Sequence, residues 1–239
     1  MKPVLVVSNE EAAPAGYLGS ALDRHGIDWR VVRVYEGEAL PVAESVAGVA
    51  VLGGAMGAYE EAAFPFLIDE KRFVGACVEA GTPVIGICLG CQLVADALGG
   101  RAYLADSAEV VFAPVEATDV GRSDPVATAL AERPIIRIHR DTFELPPGAA
   151  LLATGGGYPQ VFRIGSALGI QPHPEVTPDT LTDWLVDGDA RQMAIGAGTD
   201  PEAIVEAFRL AQRSVEAMAA DVFDAWIDEV HAKSRDAGQ

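Results

Sequence analysis

Residues 83–100 read PVIGICLGCQLVADALGG, and this stretch narrows the choice of fold more than any other. Pro83–Ile87 is an apolar strand pattern that passes, with no intervening loop, into Leu89–Leu98. That second segment reads as a helix and stops at Gly99-Gly100. A run without polar alternation is a strand covered on both faces, the environment of a parallel sheet. The rhythm repeats upstream. Val4–Val7 is wholly apolar, Pro14 to Arg24 reads as a helix stopped near Gly26, and Trp29–Tyr35 is β-rich. Val49–Leu52 is another buried strand, ending in Gly53-Gly54. Phe66–Ala80 carries Leu67, Phe73, Val74, Cys77 and Val78 at helical spacing. Strands and helices alternating at this pace predict an α/β fold with a doubly wound, mostly parallel sheet flanked by helices.

After Arg101 come shorter β-runs: Val110–Val115, Ile135–His139, Ala150–Ala153, Val161–Ile164 and Ala167–Gln171. The turns between them, Pro146-Pro147-Gly148 and Gly155–Gly157, predict an antiparallel or mixed extension of the sheet. The tail is helical. Asp200-Pro201-Glu202 supplies a capping acid, a proline at the first helical position and an acid in the first turn. Ile204, Phe208, Ala211, Val215, Met218 and Val222 then form one apolar stripe, continued by Trp226 and Val230. The stripe is expected to pack on the domain, with a homodimer helix as the alternative.

Charge and cysteine content remove several classes of function. A net charge of −18 repels phosphate backbones and anionic lipid, so neither nucleic acid nor a membrane surface is an expected partner. Three cysteines without framework spacing point to free thiols in a reducing compartment. The opening MKPVLVVSNEE is too short in apolar residues for a signal sequence, and no stretch approaches a membrane span. The expectation is a cytoplasmic protein. Metal is not expected, because no second CxxC or paired histidine completes a four-ligand site.

The chemistry turns on GICLGC. Gly86-Ile87-Cys88-Leu89-Gly90 is GxCxG, a pattern like the GxSxG elbow of serine hydrolases, in which glycines permit a sharp strand-to-helix turn. Such a turn exposes the side chain, and the helix N-terminus favours a thiolate. From this segment alone three readings stand: Cys88 as nucleophile, Cys88 and Cys91 as a redox pair, or two inert buried thiols. The balance shifts at GIQPHPEVTP. His173 follows an apolar strand, and Glu175 stands two residues on, on the same side of an extended chain and about 6.6 Å away. A carboxylate there can hold one imidazole nitrogen and leave the other for the thiol, the base-and-orienter half of a triad. Gly53-Gly54 at a strand end can offer an unobstructed backbone N–H, with the amide of Leu89 as a second oxyanion donor. An ordinary tight turn is the alternative for the glycine pair. His25 and His231 read as surface residues, and the roles of His139, Arg140 and Asp141 stay open.

Taken together, LGGAMGAYEE, GICLGCQLVADALGG, HRDTFELPPGA and GIQPHPEVTP resemble the class I glutamine amidotransferases, in particular stand-alone members similar to the amidotransferase domain of GMP synthase. The resemblance covers roughly residues 1–185 and implies a flavodoxin-like amidotransferase domain there, with 186–239 as a helical C-terminal extension packed on it. It implies Cys88 as nucleophile, His173 as base and Glu175 as its orienter. Gly54 and Leu89 would form the oxyanion hole, and Gln92 and Gly53 would help hold substrate. It further implies hydrolysis of the glutamine side-chain amide through a γ-glutamyl thioester, with no cofactor. The sequence shows no P-loop or second large domain, so either a separate accepting enzyme takes the ammonia or the chain acts as a free hydrolase. The alternative substrate is another γ-glutamyl amide or peptide, and outside hydrolysis a redox thiol protein or a non-catalytic binding subunit. The chain departs from the family at Ala55, where proline is common, at Arg140, where glycine is, and at Pro172, which stands where an aromatic usually does.

Overall fold

The computed structural model describes residues 2–186 and 188–236. Residues 187 and 237–239, which fall in the expected extension, lie outside that range. The amino-terminal half follows the alternation read from the sequence. β1 (Val4–Ser8), α1 (Gly16–Arg24), β2 (Trp29–Arg33), β3 (Gly48–Val51), α2 (Phe66–Glu79), β4 (Val84–Ile87) and α3 (Leu89–Ala97) succeed one another. β1 is buried along its whole length, and its successive side chains serve opposite layers. Val4 and Val6 join Leu18 and Leu22 of α1 on one face, while Leu5 and Val7 join Leu67 and Val74 of α2 and Leu93 of α3 on the other.

The chain continues through β5 (Arg101–Ala113), β6 (Glu116–Ala117), α4 (Pro125–Ala131), β7 (Ile135–Glu144), β8 (Ala150–Gly155), β9 (Tyr158–Ile164) and β10 (Ala167–Ile170). The main sheet has the order β2-β1-β3-β4-β10-β9-β8-β6. Its first five strands pair in parallel, and β9, β8 and β6 extend it antiparallel. The predicted mixed extension is therefore present, with one correction. Val110–Val115 and Ile135–His139 do not join it, because β5 and β7 pair with each other as a separate antiparallel ribbon. The amide of His173 donates to the Ile136 carbonyl at 3.0 Å, which ties the ribbon to the chain leaving β10.

Two helices were not read from the sequence, α4 and α5 (Pro178–Val186), while α6 (Asp189–Gly196) falls in the expected helical extension. The tail, read as one stripe, is two helices, α7 (Pro201–Leu210) and α8 (Gln212–Asp236), parted at Ala211 with φ −91° and ψ 4°. No glycine or proline stands at the break. α7 packs on α5 whereas α8 packs on α1 and α4, so tertiary packing overrides the continuous helical pattern. The stripe is covered within the chain: Phe208, Val215, Met218, Val222, Trp226 and Val230 are all buried. It is not available as a dimer face. α8 can approach β3 because Gly48 has no side chain; a Cβ there would lie 2.8 Å from Val230. Among the described residues, no helix is long and apolar enough to cross a membrane.

Candidate active site

Cys88 joins β4 to α3 with φ 53° and ψ −110°, the sole positive φ outside glycine among the described residues. Such a conformation costs roughly 1–3 kcal/mol and persists only where its surroundings enforce it. Here the enforcement is visible. The Cys88 amide donates to Ile170 of β10 at 2.9 Å, and the amides of Cys91 and Gln92 donate back to the Cys88 carbonyl. The flanking glycines are needed for close approach: a Cβ on Gly86 would lie 2.4 Å from the Gly90 carbonyl oxygen, and one on Gly90 would lie 2.0 Å from that of Val51. The Cys88 thiol points towards the Ile138 carbonyl of β7, 3.8 Å away.

His173 lies just past β10, and its Nδ1–H donates to Glu175 Oε1 at 2.8 Å. That leaves Nε2 on the Cys88 side, 3.4 Å from the Ile138 carbonyl oxygen. Both side chains are buried. Burial opposes charge on the imidazole, but the Glu175 carboxylate, and after it the Cys88 side chain, lift its pKa well above the ordinary value. Trp184 in α5 makes a T-shaped pair with the His173 ring, centroids 5.1 Å apart at 74°. The Trp184 indole N–H donates to the Ala12 carbonyl at 2.7 Å. The start of α1 fixes the Glu175 backbone: the Tyr17 amide donates to its carbonyl at 2.8 Å, and Gly16, φ +46°, has that same oxygen where a Cβ would sit.

Gly53 and Gly54 follow β3 into the same space. A Cβ on Gly53 would be 3.6 Å from both Cys88 Cβ and His173 Cε1, and one on Gly54 would be 2.8 Å from Leu89 Cδ2. Ala55, where the family pattern favours proline, uses the N–H that proline lacks: it donates to Glu10 Oε2 at 3.1 Å. Gln92 is buried, and its amide nitrogen donates to the Asp141 carbonyl (3.2 Å) and to Gln171 Oε1 (3.1 Å). Cys91 is wholly buried, with Sγ 3.9 Å from Gln171 Oε1, and burial pushes its thiol well above the ordinary range.

All seven residues read from the sequence thus converge: Cys88, His173, Glu175, Gly53, Gly54, Leu89 and Gln92. They border, or stand directly behind, a cavity of about 650 Å³. Its lining includes the apolar side chains of Ala13, Pro14, Trp184, Ala190 and Met193. Sequence reasoning missed Trp184, Gln171, Glu10 and the Ile138 carbonyl. His139, left open, has both ring nitrogens committed, Nε2 to Glu109 Oε2 at 2.8 Å and Nδ1 to the Asp141 carbonyl at 3.1 Å. Burial would raise the Glu109 carboxyl, but His139, Arg137 and Gln160 together hold it below the usual carboxylate range. A thiol beside an imidazole whose far nitrogen is held by a carboxylate is an arrangement suited to nucleophilic attack on a carbonyl carbon.

The family model described as glutamine amidotransferase class-I matches residues 17–188. The glutamine amidotransferase-like protein YfeJ of Salmonella typhimurium is 30% identical over 206 residues, covering 83% of this chain and 85% of that protein. The glutamine-hydrolyzing GMP synthase of Thermomicrobium roseum is 34% identical over 137 residues, which are 56% of this chain but only 24% of the synthase. Among solved structures, a glutamine amidotransferase from Thermotoga maritima superposes with a TM-score of 0.83 at 26% identity, covering 94% of this chain and 97% of that one.

Proposed function

The chain belongs to the class I glutamine amidotransferases, and on that premise we propose that it hydrolyses the side-chain amide of glutamine through a γ-glutamyl thioester on Cys88. The observation that carries the reading is the strained Cys88 backbone beside an imidazole whose Nδ1 is held by Glu175 at 2.8 Å. The Cys88 thiol gives its proton to His173 Nε2, the sulfur attacks the amide carbon, and the carbonyl oxygen gathers negative charge near the backbone amides of Gly54 and Leu89. The His173 Nε2 proton passes to the departing nitrogen, the C–N bond breaks and ammonia leaves. Water then attacks the thioester carbon, His173 takes its proton, and the C–S bond breaks to give glutamate. The free thiol is restored by that proton. Glu175 keeps Nε2 directed at the sulfur throughout.

Residues 1–185 form the amidotransferase unit in this reading. The extension from 186 contributes Gly188, Ala190 and Met193 to the cavity wall, so it belongs to the substrate site as well as to the core. Ammonia release serves a separate accepting enzyme, a role supported by relatives whose matched segment is about a quarter of a synthase. A redox role for the two cysteines finds little support, since Cys91 is buried and its thiol is pushed up.

A second substrate reading has its own observation. A cavity of about 650 Å³ falls in the range that encloses drug-sized ligands, more than one amino acid fills, and its lining includes Pro14, Trp184 and Met193. A γ-glutamyl amide with a larger amine fits that description. Glutamate release from glutamine and from a panel of γ-glutamyl amides separates the two. A higher kcat/KM for glutamine supports the first reading; a clear preference for a bulky γ-glutamyl amide replaces it with the second.

A further inference from the structure

Arg140 replaces the glycine common at this position, and it is the one lysine or arginine among the described residues lining the cavity. Four carboxylates share the wall with it, Glu10, Glu11, Asp141 and Asp183, while His173 is engaged at the thiol and both ring nitrogens of His139 are committed. An acidic wall repels any ligand that carries a carboxylate, and a γ-glutamyl compound always carries one at its α-carbon. The Arg140 guanidinium is half-exposed and spends one N–H on the Ala55 carbonyl, 3.0 Å away. Its nearest carboxylates, Glu60 and Asp141, are each 3.8 Å off, beyond hydrogen-bond distance. Most of its fork of donors is therefore uncommitted.

Position matches need. Gly53 abuts Cys88 and His173, and the Ala55 carbonyl that receives Arg140 is two residues further on. Two residues of chain span at most roughly 6–7 Å. In a γ-glutamyl group, four bonds of about 1.5 Å each separate the reacting carbon from the α-carboxylate carbon, roughly 5 Å when extended. We propose that Arg140 is a specificity residue that anchors a substrate carboxylate beside the scissile amide. This rests on the γ-glutamyl reading of the site. The carboxylate has two sources, the α-carboxylate of the glutamyl group or an acid carried by the departing amine.

Calorimetric titration of Cys88→Ala protein, which cannot turn substrate over, tests this with four ligands: glutamine, glutamine α-amide, γ-glutamylglycine and its glycine amide. Arg140 protein should bind glutamine about tenfold or more tighter than the α-amide, and Arg140→Gln should erase that ratio. Arg140→Lys should restore part of it. A ratio seen only between γ-glutamylglycine and its amide keeps the anchor and assigns it to the departing amine. Equal weakening of acid and amide forms by Arg140→Gln would reduce Arg140 to a latch on the Ala55 loop and overturn the proposal, as would no weakening at all. Failure of all four ligands to bind, with no turnover by the wild type, would remove the γ-glutamyl reading and this inference together. Wild-type turnover with unaltered binding ratios would remove the inference alone.

Discussion

Cys88 holds its unusual backbone because its amide is tied to the Ile170 carbonyl and its own carbonyl receives the amides of Cys91 and Gln92, between glycines that let the chain close up. Gly90 is the most exacting of the surrounding positions. A methyl group there would sit 2.0 Å from the Val51 oxygen, which is backbone in the middle of the sheet and cannot yield cheaply. Gly90→Ala should cost upwards of about 3 kcal/mol in urea unfolding, or leave no folded protein, whereas Gly75→Ala, with open space around it, should be neutral or stabilising. At this scale the site was largely legible in the sequence. Cys88, His173 and Glu175 are reactive side chains at spacings that declare their geometry. The Ile138 carbonyl was not legible, because every residue carries a carbonyl and only tertiary structure says which one faces the thiol. Trp184 was hidden for a related reason: it reaches His173 from a helix that the sequence reading did not register.

That helix, α5, and the missed α4 both had start signals. Asp124 caps α4 by accepting from the amides of Val126 and Ala127, with Pro125 at the first position. The Thr177 hydroxyl accepts from the Thr180 amide at the start of α5. Both helices are short, so their apolar periodicity is too brief to stand out against β-rich neighbours. The β5–β7 ribbon escaped for a different reason: alternation marks a strand but not the sheet it joins. α2 carries a feature with a measurable consequence. Glu70 is buried with neither oxygen in a hydrogen bond, and burial, slightly relieved by the Asn9 amide, pushes its carboxyl up to about 8. The folded protein therefore holds that proton more tightly than the unfolded chain does. The stability it contributes is complete below the ordinary carboxylate range and is lost as pH rises through about 8. Glu70→Gln should thus be more stable than wild type at pH 8.5, by at most about 5 kcal/mol, and close to it at pH 4.5. Urea midpoints at the two pH values check this; a constant difference would contradict it.

For the molecule as a whole, α8 closes one face of the sheet, and Trp226 is the largest side chain it buries. Its indole N–H has no hydrogen-bond partner. Trp226→Ala should destabilise by about 3–5 kcal/mol, while Trp226→Phe should lose much less because it removes an unsatisfied donor along with volume. Chemical denaturation of the two variants measures the difference. The apolar stripe of the tail was legible from spacing, but its division at Ala211 was not, since it follows from α7 and α8 packing on different neighbours. The parallel half of the sheet was legible because each of its buried strands is a continuous apolar run. All of these layers converge on a single thiol, and the central claim is that Cys88 alone attacks while Cys91 packs. The most direct measurement is glutamate release from glutamine by the intact chain carrying Cys88→Ser or Cys91→Ser. The account predicts that Cys88→Ser abolishes release, a loss of about a thousandfold or more, while Cys91→Ser retains most of it. Equal loss in both variants, or undiminished release by Cys88→Ser, would contradict it.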